Sequence, residues 1–501
     1  MFKTSLLESV KAAMAHPELL SLPLHSRIQR TLRQLILEGA LGAGSALPAS
    51  RLLARSLGVS RDTIESAYSH LHAEGFIERR VGSGSFVAEA TRLSPGRRTR
   101  RRLSGAPPGA ANLSQRGQAM LDNGGVREQL APRPFAPGVP ETRTFPLSTW
   151  ERLQRQVLKE FGPRALLHGD PQGMQPLRQA IADYVNLERG ARTTADQVLV
   201  LTSSQQALGL CANVLLDAGE RIFIEDPVYY GARKAFAAAG LDCQAIPVDA
   251  QGIRVDELLA HPHPAKVVYL TPSHQFPSGA TLSLERRLSL IEWARREQAW
   301  IIEDDYDSEF HYAGKPTACV QGLDAHERTL YIGTFTKSLF AGLRIGYLVL
   351  PPSLVEPMTI ARSLQDGHTA SIAQLTLARF ITGGHFGAYV RAMRNLYAER
   401  LELLADLLEQ RLGGALQPRR PAGGLQMPCL LSGEMTERAV LGAARTAGIE
   451  LLGLSELFVT RPPQPGFLMG FAAYTPQELQ RAVDDLARGL EMLKPAAPRP
   501  R

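Results

Sequence analysis

The chain has 501 residues, 44% hydrophobic and 21% charged, which excludes a disordered or fibrous polypeptide and leaves room for two or three domains with at least one large core. Its formal charge of +7 is uneven: residues 1–110 hold 16 Lys/Arg against 8 Asp/Glu, so the positive excess is all N-terminal, as expected of a part that meets a polyanion. Lys3, Glu8 and Lys11 break the opening "MFKTSLLESVKAAM", no apolar run approaches the roughly 18 residues of a membrane span, and Cys211, Cys243, Cys319 and Cys429 are too scattered for zinc or a disulfide framework. A cytoplasmic protein with no membrane partner is expected.

Residues 24–40, "LHSRIQRTLRQLILEGA", place Ile28, Leu32, Leu35 and Ile36 on one helical face and end at Gly39. "LPASRLLARSLGVSRDTIESAYSHLHAEGFIERR" predicts a short helix from about Ala49, a break near Gly58, and a helix capped by Ser60 that turns Ile64, Ala67, Tyr68 and Leu71 inward. "FIERRVGSGSFVA" follows as two short strands joined by glycine-rich residues 82–84, a hairpin signal. Together these make a winged helix-turn-helix over residues 1–89. Its second helix exposes Arg61, Asp62 and Thr63 at the end where a recognition helix meets base edges, and Arg51 is placed to reach phosphate or base.

Residues 90–132 lose apolar periodicity and are rich in Pro, Gly, Ala and Arg, with "RRTRRR" at 97–102. They read as a basic linker, with room for a helical turn at "SQRGQAMLDN". From 133 to 501 the pattern is repeated strand and helix. Short β-branched runs ending in polar turns predict an α/β fold with a mostly parallel sheet in a large lobe, about 170–365, followed by a smaller α+β lobe, about 366–495.

The polar turns at those strand ends suit a cofactor with an aldehyde, a phosphate and a pyridine ring. Lys337 in "YIGTFTKSLFAGLRIGYLVLP" supplies an amine for a Schiff base, with Thr334, Thr336 and Arg344 as phosphate donors. "SSQQAL" opens a helix after a strand, so Ser204 and Gln205 add amides at its positive end. In "IIEDDYDSEF", Asp304 can hold the ring nitrogen protonated, with Asp305 and Asp307 as alternatives, and Tyr306 can reach the phenolic oxygen. Tyr229 is the stacking candidate.

Residues 22–88 resemble the GntR-type winged helix, which implies that Arg51, Ser60, Arg61, Thr63 and Gly82 meet a double-stranded DNA operator. Residues 133–490 resemble fold-type I aminotransferases, which use pyridoxal 5′-phosphate, and "TPSHQFPSG", "EDDYDSEF" and "GTFTKSLFAGLRIGYLV" are close to the motifs of MocR/GabR-type regulators. That resemblance implies a head-to-tail, domain-swapped homodimer responding to a small amine or to the cofactor itself, with weak or vestigial transamination. The alternative is a genuine aminotransferase with an accessory DNA-binding domain. Three departures bear on this. Phe276 stands where the enzymes have an asparagine for the phenolic oxygen, and His168 where they have a tyrosine for the partner's phosphate. Leu468 stands where they clamp the substrate carboxylate with arginine, leaving Arg461, His274 and Gln275 as further ligand candidates.

Overall fold

The computed structural model describes residues 2–14, 16–80, 82–93, 113–126, 131–313, 317–460 and 465–493; the "RRTRRR" run and Arg461 lie outside them. The chain divides into two units, residues 1–112 and 113–501. In the first, the apolar faces at helical spacing pack into one core. Helices α1 (Phe2–Met14), α2 (Leu24–Leu37), α3 (Ser50–Leu57) and α4 (Arg61–Ala73) precede strands β1 (Ile77–Arg80) and β2 (Gly84–Val87). Ile28, Leu32, Leu53, Ile64, Ala67, Leu71 and Val10 are buried together. Val10 belongs to α1, a helix that the polar interruptions of its sequence did not signal.

Gly58 ends α3 in the left-handed region, φ 68°, a conformation that costs a residue with a Cβ about 1–2 kcal/mol. Ser60 then caps α4, its hydroxyl accepting from the Thr63 amide at 3.1 Å. Tyr68 donates to the Pro48 carbonyl at 2.7 Å, tying α4 to the start of α3. β1 and β2 pair antiparallel, Ile77 opposite Val87, around a turn in which Gly82 and Gly84 both have positive φ.

The second unit opens with α5 (Gln115–Asn123), inside the stretch expected as linker, then α6 (Leu147–Phe161) and α7 (Gln175–Arg189). Eight strands follow: β3 (Val198–Leu201), β4 (Arg221–Asp226), β5 (Asp242–Asp249), β6 (Gly252–Ile253), β7 (Val267–Leu270), β8 (Trp300–Asp305), β9 (Thr329–Thr334) and β10 (Gly346–Val349). They form one sheet in the order β3-β10-β9-β8-β7-β4-β5-β6. The run from β9 to β5 is parallel, while β10 is antiparallel to both its neighbours. Both faces are covered, as alternation along β7 requires: Val267 and Tyr269 join one core, Val268 and Leu270 another. α8 (Ser204–Leu215) follows β3 and α9 (Tyr230–Ala238) follows β4.

The smaller lobe packs the 28-residue helix His385–Leu412 and the helix Pro476–Glu491 against a four-stranded antiparallel sheet. Its strands are β11 (Leu416–Pro418), β12 (Gln426–Leu431), β13 (Leu452–Gly453) and β14 (Gly466–Gly470), in the order β11-β12-β14-β13. No helix among the described residues is long and apolar enough to cross a membrane.

Leu32→Ala should cost the first unit roughly 2–5 kcal/mol through the cavity it leaves, and Ser60→Ala about 1 kcal/mol through the lost cap. Urea unfolding followed by circular dichroism would measure both, and equal losses would contradict this reading of the core.

Candidate functional site

The two acidic residues that end β8 point to opposite faces, because side chains alternate along a strand. Asp305 faces a polar nest: its Oδ2 accepts from Arg189 Nε at 2.8 Å, Tyr331 Oη at 2.6 Å and Ser308 Oγ at 2.8 Å. Burial opposes that charge, but Arg189 and the hydroxyl donors outweigh it and hold the carboxyl below its ordinary value. Asp307 pairs with His274, Oδ1 to Nδ1 at 2.8 Å.

Asp304 is left differently. Its Oδ2 accepts from Tyr269 Oη at 2.8 Å, while its buried Oδ1 has no hydrogen-bond partner among the described residues. Burial pushes the carboxyl up to about 7, against a lowering contribution from the Lys337 charge. All three carboxylates open to the role keep one buried oxygen without a hydrogen-bond partner; Asp305 and Asp307 have the salt-bridge partners Arg189 and His274, while Asp304 has none among the described residues.

One strand over, β9 ends at Thr334 and turns into a single helical turn, Phe335–Ser338, that Thr334 caps by accepting from the Thr336 amide at 3.2 Å. Asp304 stands opposite Ile332 in register, so the turn carrying Lys337 begins at the same edge. Lys337 is half-buried, and its ammonium donates to the Gly138 carbonyl at 2.8 Å. Gly138 has φ 70°, and a Cβ there would fall 2.9 Å from the Lys337 Nζ and 3.5 Å from the Gln426 Oε1. Gln426 is buried on β12, and the Tyr306 hydroxyl donates to the His274 carbonyl at 3.1 Å.

The helix after β3 reaches the same edge. Leu201 and Thr334 both stand opposite Gly346, and a Cβ on Gly346 would lie 3.1 Å from the Ser203 carbonyl carbon. Ser203 caps α8 by accepting from the Gln206 amide at 3.2 Å; Ser204, half-buried, is the first helical residue. Gln205 donates to the Gly231 carbonyl at 2.9 Å and keeps a buried Oε1 without a hydrogen-bond partner among the described residues. Arg344 is exposed, in the left-handed region at φ 52°.

Tyr229 caps α9, half-buried. The Phe276 ring lies 5.5 Å from it and 6.2 Å from Tyr306, edge-on to both. Phe276 and Leu468 pack in one apolar cluster with Leu454 and Leu457, so the two positions where the resemblance expected an amide and a guanidinium are filled by touching hydrocarbon. Gln275 is buried with its amide on the Pro227 and Phe276 carbonyls at 2.8 and 2.6 Å, and His274 is taken by Asp307. Both serve the loop. His168 is exposed, its ring edge-on to His368 at 5.6 Å.

Sequence reasoning missed Tyr269, Gly138 and Gln426. Tyr269 carried a faint signal, a hydroxyl within the otherwise apolar run of a buried strand. In the first unit Arg51, Ser60, Arg61 and Gly82 are exposed and Thr63 half-buried. Thr63 Oγ1 lies 2.8 Å from Ser60 Oγ, so Ser60 is engaged as the cap.

Residues 141–486 match the model of aminotransferase class I and II, and residues 24–87 that of bacterial regulatory proteins of the gntR family. The chain is 35% identical to the probable rhizopine catabolism regulatory protein MocR of Rhizobium meliloti, over 93% of each chain. It is 28% identical to the pyridoxine biosynthesis transcriptional regulator PdxR of Corynebacterium glutamicum, over 93% of this chain and 96% of that one. Among solved structures, kynurenine aminotransferase from Pyrococcus horikoshii, in complex with PMP, is 26% identical with a TM-score of 0.67, covering 73% of this chain and 93% of its own. A multiple substrate aminotransferase from Thermococcus profundus is 27% identical with a TM-score of 0.68, covering 76% and 97%. With a class I and II aminotransferase fold behind a GntR-type winged helix, the chain belongs to the transcriptional regulators of MocR type.

Proposed function

We propose that this regulator carries pyridoxal 5′-phosphate, the cofactor of the aminotransferase family, on Lys337, and that a small amine or the cofactor itself sets its affinity for a double-stranded DNA operator. The observation that carries this reading is the buried, unpartnered Oδ1 of Asp304 at the strand end beside Lys337. A half-satisfied carboxyl in that position needs a proton or a cationic partner, and a protonated pyridine nitrogen supplies the latter.

When bound, the cofactor supplies an aldehyde carbon that condenses with primary amines and a ring that withdraws electrons. The chain's own residues do the rest. Lys337 is the amine that holds it, and the Gly138 carbonyl orients the ammonium until then. Ser204, Gln205, Thr334, Thr336 and Arg344 would take the phosphate, with the α8 amides adding the positive helix end. Tyr229 and Tyr306 would meet the ring and its phenolic oxygen, and His168 would serve a partner subunit in a head-to-tail homodimer. Arg51, Ser60, Arg61, Thr63 and Gly82 would form the operator face, and work on an operator fits a cytoplasmic protein. Hydrocarbon at Phe276 and Leu468 argues against sustained transamination, because neither a phenolate nor a carboxylate gains a hydrogen bond from them.

The deciding experiment is the visible spectrum of the purified protein, before and after borohydride reduction, with peptide mass to locate the adduct. An imine band trapped on Lys337 is expected, absent in Lys337→Ala; a wild-type protein that stays colourless with added cofactor would overturn the proposal.

The Asp304 carboxyl also sets a pH dependence. Raised from 3.8 to about 7, it binds its proton more tightly in the folded than in the unfolded chain. The stability this contributes is full below about pH 4 and is lost as the pH rises through 7, at most roughly 4 kcal/mol. Glu225 and Glu303, also raised to about 7 by burial, add to the same decline. Asp304→Asn should therefore flatten part of the fall in Tm of the cofactor-free protein between pH 4 and 8. An unchanged slope would mean that Asp304 is charged throughout.

Arg61→Ala should weaken operator binding by about 1–3 kcal/mol and relax sequence preference if it reads a base; if it meets phosphate, the salt dependence should fall by about one ion. Fluorescence anisotropy across a salt series distinguishes the two, and no change in either quantity would remove Arg61 from the operator face.

A further inference from the structure

α5 lies in the stretch whose composition reads as linker, yet it is tied to the two helices that build the site. Arg116 Nε donates to the Ala238 carbonyl and Nη2 to Asn213 Oδ1, both at 3.0 Å. Ala238 is the last residue of α9, and Asn213 lies in the last turn of α8. Just after α5, the Gly125 carbonyl accepts from Lys234 Nζ on α9 at 3.1 Å. The N-terminal ends of the same helices belong to the site. Gln205 binds the Gly231 carbonyl there, locking α8 to α9, and Tyr229 caps α9 with a ring 5.1 Å from that of Tyr230. Tyr230 lies under the Lys234 ammonium at 6.0 Å. A continuous path thus runs from the Tyr229 ring through Tyr230 and Lys234, about 6 Å along the helix at 1.5 Å per residue, to the carbonyl that follows α5.

α5 has the properties of an element that can be docked or released. It has nine residues, none of them buried, and an isolated helix of that length is unstable in water. Besides its Ser114 cap, three side-chain hydrogen bonds tie it and the residues just after it to the rest of the second unit, each contributing about 1 kcal/mol. Such a segment stands at the low end of the stability scale. A small shift of α8 against α9 therefore changes its population, where a buried helix would not respond.

We infer that Arg116 is a positioning residue for regulation: by clamping the linker helix across the C-terminal ends of α8 and α9, it turns occupancy of the site at their N-terminal ends into a change in how the chain leaves toward the DNA-binding unit. The inference rests on the reading that this site holds pyridoxal phosphate. It assigns the coupling to a docked helix with two states, both biased by the site.

The test uses full-length wild type, Arg116→Ala, Arg116→Lys and Lys234→Ala, with pyridoxal phosphate and a labelled duplex selected on the wild-type protein from a random library. In wild type the duplex Kd should differ between cofactor-free and cofactor-bound protein by roughly 5–150-fold, and the duplex should change cofactor affinity by the same factor. Arg116→Ala should still bind cofactor with an unchanged absorbance spectrum and still bind the duplex, while that ratio collapses toward 1. Arg116→Lys, which keeps the charge but not the two-pronged fork, should fall between. Lys234→Ala should lower the ratio too, and in both alanine variants amides of residues 113–126 should exchange faster. A full wild-type ratio in Arg116→Ala overturns the proposal, as does a wild type whose ratio is 1. Borohydride trapping on Lys337 is read in parallel, so failure of the cofactor reading would appear there, before any comparison of ratios.

Discussion

Two consecutive carboxyl groups at the end of one strand constrain the rest of the site. Both Asp304 and Asp305 are buried, and no interior could tolerate two adjacent charges unless each were compensated. Alternation along β8 solves half of the problem by sending them to opposite faces. Asp305 takes Arg189, which also donates to Ser273 Oγ at 2.8 Å, so one buried ion pair fixes α7, β8 and the loop after β7 together. Asp304 receives only a phenol. Its remaining oxygen must find a proton or a cation, and the lysine turn of the adjacent strand stands at the same edge of the sheet. The site is thus a place where the fold leaves an electrostatic demand that a ligand can meet.

Close backbone approach sharpens that demand. A Cβ on Gly333 would fall 2.2 Å from the Tyr347 ring carbon, so β9 must carry glycine just before the turn if the ring is to pack there. Gly346 faces the Ser203 backbone in the same way, and Gly138 faces the lysine. These positions let three separate segments converge on one point. The residues between them are buried apolar strands, which explains why the point is rigidly defined although its polar groups come from β8, β9, α8 and the segment around Gly138.

What was legible in the sequence follows the range of the interactions. The winged helix could be read because its signals are local: the inward face of Ile28, Leu32 and Leu35, the Gly58 break, the Ser60 cap and the glycine turn each span a few residues. The order of polar turns at successive strand ends likewise brought Lys337, Asp304, Tyr306 and the start of α8 together. The choice among Asp304, Asp305 and Asp307 was not legible, since it depends on Arg189 and His274, far along the chain. Gly138 lies 199 positions from Lys337 and Gln426 is on the other lobe, so no periodicity could connect them. Ser203 caps α8, which puts the Ser204 and Gln205 amides in its first turn. α5 was legible only as room for a turn, because it buries no apolar face and its ties are polar.

The apolar replacements at Phe276 and Leu468 fit a sensor better than a catalyst. Turnover requires interactions that strengthen as charge develops, so an enzyme gains from a polar group at each oxygen of the reacting complex. A sensor needs only a difference in binding between two states of the protein. Phe276 packs edge-on between Tyr229 and Tyr306, and Tyr229 caps the helix whose far end holds Arg116. Hydrocarbon there makes the aromatic wall a packed unit continuous with α9, and a packed unit transmits displacement because its interior has little room to deform. In this chain Phe276, which offers a phenolic oxygen no hydrogen bond, also packs against the residue that starts α9, the helix whose far end accepts from Arg116.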